Sequence, residues 1–325
     1  MSQTNILLEA GTNELEIVEF YIDEPAPSSF TGDAPEASGV YRGYYGVNVA
    51  KVLEIIRLPK VTGMPEVSHP SVLGAFNLRN HIIPLVDLSV WLDKIRQEKP
   101  AECVLTTECN AEPFLRWFDG YLTWHWQYDG QVPAFPAIYG GAIQMFGRAY
   151  RGGPTQDLAL RMKAGQQLVY GEQIGWLDPR VIERADSGSF LRQIVQLRWQ
   201  LRRYFFAGQM CRPPQLDRAL PTVRADWQWQ DNWWVTTDAV LTGTWQLPHA
   251  QRAVAMFVNV SDEPLEAVWS CDAATFGFDT PRVAVTAVTP EGPGEQTHEP
   301  SQFCKTLIFP PRSAMAWEIT QVADR

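Results

Sequence analysis

Residues 101–130 read AECVLTTECNAEPFLRWFDGYLTWHWQYDG, and the vocabulary of the chain changes around Asn110–Pro113. Before that point Val, Ile, Leu, Glu and Lys dominate; after it come Trp, Tyr, Gly and Gln. Only Trp91 of the 13 tryptophans lies before Asn110, and residues 1–110 carry 15 acidic against 8 basic side chains. No Pro/Gly/Ser linker separates the two regimes. The stretch therefore reads as a junction between two pieces, and the fold follows from reading outward on either side of it.

The bounds are those of an ordinary globular chain. At 325 residues and 45% hydrophobic, it is long enough for more than one domain with a substantial core. A net charge of −10 argues against a nucleic-acid binder, whose basic residues would cluster on one face. No stretch approaches the 18 or so apolar residues of a membrane helix, and the N-terminus lacks a signal-peptide pattern, so a cytoplasmic protein without membrane insertion is expected. The five cysteines, Cys103, Cys109, Cys211, Cys271 and Cys304, are scattered and never spaced CxxC. They signal neither a disulfide framework nor a metal site, and no cofactor is expected.

Upstream of the junction, ELEIVEFYI (14–22) reads as a strand and residues 23–39 as an exposed loop. YYGVNVAKVLEII (44–56) begins with apolar alternation and reads as a strand entering a core. VLGAFNLRNHIIPLVDL (72–88) predicts two strands joined by a tight turn at Arg79–Asn80, since Asn tolerates positive φ. Asp87 is placed to cap a helix with Leu88, Trp91, Leu92 and Ile95 on its apolar face. His69 and His81 have no nucleophile arranged beside them, and no glycine-rich phosphate loop occurs. Chemistry is not expected here; a binding module is.

Three stretches of this piece, NILLEAGTNELEIVEF (5–20), YYGVNVAKVLEIIRLPKVTGMPEVSHPSVLGAFNLRNHIIPLVDL (44–88) and CVLTTECN (103–110), resemble the CheW-like domain of the CheW and CheV chemotaxis coupling proteins. The resemblance implies SH3-like β-barrels in a non-enzymatic adaptor that docks a chemoreceptor cytoplasmic tip and the histidine kinase CheA. It places Arg79 on the interaction surface, where a guanidinium at a hairpin tip presents several donors. It also offers Val49, Val52, Ile55 and Ile56 as a receptor-facing groove, with a plain core role an equal alternative. Asn80 stands where the family usually has Gly. After CVLTTECN the rest of the family's second barrel does not follow, nor does the receiver domain that CheV carries, so the domain is expected to be incomplete.

Downstream, PAFPAIYGG (133–141) reads as a strand. GPTQDLALRMKAG (153–165) reads as a helix capped by Thr155, with Asp157 in its first turn and Gly165 as its stop. QLVYGEQIGW (167–176) reads as a second strand, making a parallel βαβ unit. A long helix follows from Ser189 to Gly208, with Arg202 and Arg203 near its negative end. From about Asp226, five short strand segments at intervals of about ten residues predict an antiparallel β-sandwich.

DGYLTWHWQYDGQVPAFPAIYGGAIQMFGRAY (119–150) and KAGQQLVYGEQIGWLD (163–178) resemble the C-terminal end of a glycoside-hydrolase-like protein, the last units of a (β/α)8 barrel followed by a sandwich. Glycoside hydrolysis needs two facing carboxylates, which in such barrels stand at the C-terminal strand ends. Asp119 and Glu172 are the candidates, and Trp124, Trp126 and Tyr139 are a candidate sugar platform. A full barrel takes about 250 residues, whereas residues 113–212 supply about 100, so catalysis by this piece is not expected. The expected organisation is mixed and multi-domain: a CheW-like SH3-like barrel (1–110), a partial β/α-barrel segment (111–212) and an antiparallel β-sandwich (213–325). The leading function is chemotaxis coupling, with a glycosidase-like or carbohydrate-binding role as the alternative.

Overall fold

The computed structural model describes residues 17–25, 40–48, 60–64, 69–108, 112–124, 126–148, 150, 155–175, 177–227 and 233–322. The chain is mixed α and β and divides into two compact units, Met1–Trp91 and Leu92–Arg325. The division lies upstream of the compositional change at Asn110.

In the first unit β1 (Ile17–Pro25) pairs antiparallel with β2 (Val40–Asn48), and β3 (Val72–Leu78) pairs antiparallel with β4 (His81–Val86). The β3–β4 turn is the one expected: Arg79 has φ 52° and Asn80 φ 66°. Two consecutive positive φ values give the turn the twist that matches its flanking strands. The Asn77 side chain fixes it by accepting the Asn80 backbone N–H at 3.0 Å. α1 (Leu88–Glu98) starts behind Asp87, whose carboxylate accepts the Val90 N–H at 3.2 Å. Of its expected apolar face Leu92 is buried, whereas Trp91 is 44% exposed.

The second unit starts with a parallel sheet of β5 (Thr106–Glu108), β6 (Gly120–Leu122) and β7 (Gln144–Phe146), in that spatial order. CVLTTECN, read above with the upstream piece, thus supplies a strand that pairs with the downstream one. Its neighbourhood is tied in as well: the Leu105 carbonyl accepts the Asp119 N–H at 2.7 Å. α2 (Ala134–Tyr139) occupies the stretch expected as a strand. Pro133 and Pro136 sit in its first turn, where a missing N–H costs nothing, so proline starts this helix instead of breaking a strand.

α3 (Gln156–Val169) runs past Gly165, which is not a stop but a close-packing point. A Cβ there would come within 2.9 Å of Leu241 and 3.1 Å of Val258 and Val260. Thr155 sits at the N-cap position without a side-chain cap, its hydroxyl accepting the Asp226 N–H instead. The expected strand over 167–176 is therefore largely the end of α3 and a turn, in which Gly171 adopts φ 75° against the Trp245 ring. Of the described residues here Gln173 pairs, in parallel with Phe146, so a βαβ order arises with β7 in place of the strand expected at 133–141. α4 (Ala185–Ala207) follows and buries Ile194, Leu197, Leu201 and Tyr204 on one stripe.

The remainder is antiparallel. β8 (Gln209–Cys211), β9 (Gln215–Leu216), β10 (Thr222–Asp226), β11 (Trp234–Asp238), β12 (Val240–Leu247), β13 (Arg252–Asn259), β14 (Leu265–Asp272), β15 (Arg282–Thr289), β16 (Gly292–Pro300), β17 (Gln302–Phe309) and β18 (Ser313–Gln321) complete the chain. They form a six-stranded sheet in the order β16-β15-β18-β13-β12-β8, a three-stranded sheet β17-β14-β9 and the pair β10-β11. Strand β13 shows why its sequence, RAVAMFVN, is apolar throughout. Val254, Met256 and Val258 join the core with α3 and α4, whereas Ala253, Ala255 and Phe257 join the core with Trp269, Phe303 and Phe309. Both faces of this strand are covered, so period-two alternation disappears. Among the described residues no helix is long and apolar enough to cross a membrane.

Candidate functional sites

In the first unit the candidate is the β3–β4 tip. Arg79 is exposed on a turn held by backbone conformation and by Asn77, so its guanidinium is carried on a fixed support. Val49, Val52, Ile55 and Ile56 lie outside the described residues.

In the second unit the strand ends organise the chemistry. Because β5, β6 and β7 are parallel, Glu108, Leu122 and Phe146 end on one edge. Thr106, Thr107, Glu108, Leu122 and Phe146 line a cavity of about 370 Å³ there. Thr123 follows β6, Arg148 follows β7 through Gly147 at φ 75°, and Glu172 precedes the bridging Gln173.

These last three meet. Arg148 donates from Nη2 to Glu172 Oε1 at 2.5 Å and from Nε to Oε2 at 3.0 Å, a two-pronged ion pair with both side chains fully buried. The Thr123 hydroxyl lies 2.6 Å from Glu172 Oε2. Arg148 Nη1 donates to Gln166 Oε1 at 2.7 Å and to the Trp126 carbonyl. Arg198 reaches in from α4, donating to the backbone carbonyls of Glu172 at 2.7 Å and Gly171 at 2.9 Å. Burial pulls the Arg198 guanidinium down to about 10, with the Glu172 charge opposing, so it stays charged at neutral pH. Burial likewise pushes the nearby Tyr150 phenol far above its usual range. Arg148 and Glu172 neutralise each other and Arg198 is satisfied by backbone carbonyls, which is the arrangement of a structural clasp.

Asp119 stands elsewhere. It immediately precedes β6, at the opposite end of the strand from Thr123. Arg96 grips it with bonds of 2.8 and 3.1 Å, and it accepts the Leu105 N–H at 2.8 Å. The Arg96 donors, followed by the Leu105 N–H, hold its carboxyl below the usual aspartate range. Asp119 and Glu172 line none of the described cavities. Glu108, which the sequence reading passed over, is the carboxylate that lines the strand-end cavity. The sequence signal for it is its place as the last residue of a short β run, which composition alone groups with the upstream piece. Of the expected aromatic platform, Trp126 and Tyr139 pack with Tyr121 and Phe135 in one cluster whose contacting ring centroids lie 4.7–6.2 Å apart, whereas Trp124 is half-buried outside it. Among the described residues no group of His, Cys, Asp and Glu is arranged to hold a metal ion.

Residues 39–115 match the family described as CheW-like domain, and residues 86–150 match one described as Domain of unknown function (DUF6259). The two matches overlap over 86–115, the segment that holds α1 and β5. Chemotaxis protein CheV3 of Helicobacter pylori is 42% identical over 72 residues, covering 22% of this chain and 23% of that protein. A glycoside-hydrolase-like protein of Bacteroides thetaiotaomicron is 28% identical over 165 residues, covering 49% of this chain and 24% of its own. Another from Monosiga brevicollis is 34% identical over 113 residues, 32% of this chain and 9% of its own. The chain thus spans about a quarter or less of the length of these curated relatives. Among solved structures, a maltogenic alpha-amylase from Thermotoga neapolitana aligns with a TM-score of 0.44 at 12% identity, covering 73% of this chain and 60% of that one. A GH30 endoxylanase from Clostridium papyrosolvens aligns with a TM-score of 0.38 at 10% identity, covering 72% and 60%. One polypeptide therefore joins a segment similar to the CheW-like domain of chemotaxis coupling proteins to a segment similar to glycoside-hydrolase-like proteins.

Proposed function

We propose that this chain is a non-enzymatic cytoplasmic adaptor whose CheW-like segment couples a chemoreceptor cytoplasmic tip to the histidine kinase CheA. The observation that carries this reading is the match over residues 39–115. The exposed Arg79 on its two-residue turn suits the role, because the backbone that carries it needs no reordering to meet a partner's carboxylates. On this reading the CheW-like segment upstream of β5 forms an SH3-like barrel with an incomplete second barrel, β5 with 111–212 a partial β/α-barrel segment and 213–325 a β-sandwich. Val49, Val52, Ile55 and Ile56 contribute the apolar part of the docking surface.

The test is titration of the purified full chain with CheA and with a soluble receptor cytoplasmic fragment, followed by thermophoresis. Saturable binding to both is expected, with Arg79→Glu weakening it about tenfold, equivalent to ~1.4 kcal/mol. Absence of binding at about 100 μM, or an unaltered Kd for Arg79→Glu, refutes the reading; ~100 μM corresponds to only about 5.5 kcal/mol of affinity.

A second reading, carbohydrate binding or glycosidase-like chemistry in the second unit, is favoured by one observation: Glu108 faces a cavity at the C-terminal strand ends. Hydrolysis needs a second carboxylate across the bond, and none of the other described lining residues supplies one. Affinity electrophoresis against soluble polysaccharides separates the readings. Retardation abolished by Glu108→Gln supports carbohydrate binding, and unretarded migration removes it.

A further inference from the structure

A second cavity in the Leu92–Arg325 unit, of about 540 Å³, lies between α2, α3, β8 and β12. Its size falls within the range of small-molecule sites, ~300–1,000 Å³. The wall is largely apolar, Pro133, Val169, Met210 and Leu241 with the exposed Ala137 of α2 and Pro213, and it also carries Thr242 and Cys211. Its innermost polar groups are Gln166 and Tyr170, exposed by only 5% and 8%.

Both groups are held in place. Gln166 accepts from the buried Arg148 at 2.7 Å, and Tyr170 lies one helical turn further along the chain on the same cavity wall. The Tyr170 hydroxyl donates to the Gln131 carbonyl at 3.0 Å. The cavity thus ends in a fixed polar patch wired to the Arg148–Glu172 clasp. At the mouth, exposed Arg212 and Asp238 offer one charge of each sign, so neither a strong anion nor a strong cation is selected. A sugar is disfavoured, because most of its hydroxyls would face the apolar wall without partners.

We propose that this cavity binds a small, neutral, largely apolar ring compound bearing a single hydroxyl or carbonyl function, its ring against Val169, Met210 and Leu241 and its polar function at Gln166 and Tyr170. The Met210 thioether suits a flat ring, since sulfur–aromatic contacts are favourable. Neither the coupling reading nor the strand-end cavity requires this site, and its failure would leave both untouched.

The test uses the full chain with 2-naphthol as probe, followed by saturation-transfer NMR, and with naphthalene as the probe lacking the hydroxyl. Saturable binding at one probe per chain is expected, with 2-naphthol at least about fivefold tighter than naphthalene. Ala137→Trp, which fills the cavity from an exposed position on α2, is expected to weaken binding at least tenfold with the melting temperature unaltered. Should that variant melt lower, Pro213→Trp blocks the mouth from an equally exposed position. No saturable binding at about millimolar probe overturns the proposal. So does equal binding of the two probes, or binding indifferent to both blocking substitutions.

Discussion

Glu172→Gln tests the clasp at the ends of the parallel strands. The Arg148 and Glu172 side chains have no solvent exposure, and the substitution removes the anion that faces Nε and Nη2 of the guanidinium. Breaking a buried pair by deleting one partner costs about 3–5 kcal/mol, because the remaining charge stays desolvated. For a unit of this size each kcal/mol corresponds to ~2–4 °C, so a fall of roughly 6–20 °C in Tm is expected. Arg148→Met is expected to cost at least as much, since it strands the carboxylate and deprives Gln166 Oε1 and the Trp126 carbonyl of their donor. Arg148→Met combined with Glu172→Leu is then expected to be more stable than Arg148→Met alone, the sign of a favourable coupling. Urea unfolding followed by tryptophan fluorescence measures all three. The exposed Lys94–Glu98 pair is the internal control: Glu98→Gln is expected to cost no more than about 0.5 kcal/mol. A Glu172→Gln loss below ~1 kcal/mol, the size of an exposed pair, would refute the buried-clasp reasoning.

Three further outcomes are expected. Asp119 has its carboxyl held below the ordinary value, so its contribution to stability is complete above that value and is lost as pH falls through the depressed one; Asp119→Asn is expected to be less stable than the parent at pH 7, with the gap starting to close only below about pH 4, as measured by urea titrations across pH. Asn80 at φ 66° is expected to accept Gly with little change and to lose roughly 1–2 kcal/mol on substitution by Val, by chemical denaturation. Of the four described cysteines, exposed Cys103 and Cys304 are expected to react with a thiol reagent at pH 8 well before Cys211 and Cys271, whose thiols burial pushes up to about 11 and about 12; equal rates would contradict their placement.

The legible parts of this sequence are those where local chemistry and tertiary context agree. The Arg79–Asn80 turn followed from the tolerance of Asn for positive φ, and the long helix expected from Ser189 to Gly208 is α4, which starts four residues earlier. Of the late strands, β13, β14 and β15 followed one to one from turn-bounded apolar runs, the first and last expected segments each hold two strands (β11 with β12, β17 with β18), and β16, whose GPGEQTHEP is largely exposed, carries no apolar signal. α2 was masked because its aromatic residues and prolines suit a strand boundary as well as a helix start. Gly165 looked like a stop because nothing local announces that Leu241 and Val258 come to within contact distance of it.

The sites were legible in type but not in placement. Glu172 follows the turn after α3 and precedes the bridging Gln173 instead of closing a strand, and LVYGEQ gives no sign that Arg148 will close over it. Asp119 precedes its strand, so it falls at the end where barrel residues serve stability. Glu108 went unread because composition assigned β5 to the upstream piece, whereas backbone pairing assigns it to the downstream one.

That assignment of β5 is the central claim, and hydrogen–deuterium exchange of the full chain followed by mass spectrometry tests it most directly. Amides of 105–108 and 119–122 are expected to be protected together, to a degree similar to 144–146, and to lose protection together in Glu172→Gln. Exchange of 105–108 within seconds, while 119–122 and 144–146 stay protected, would mean that β5 does not belong to the parallel sheet and would contradict the account.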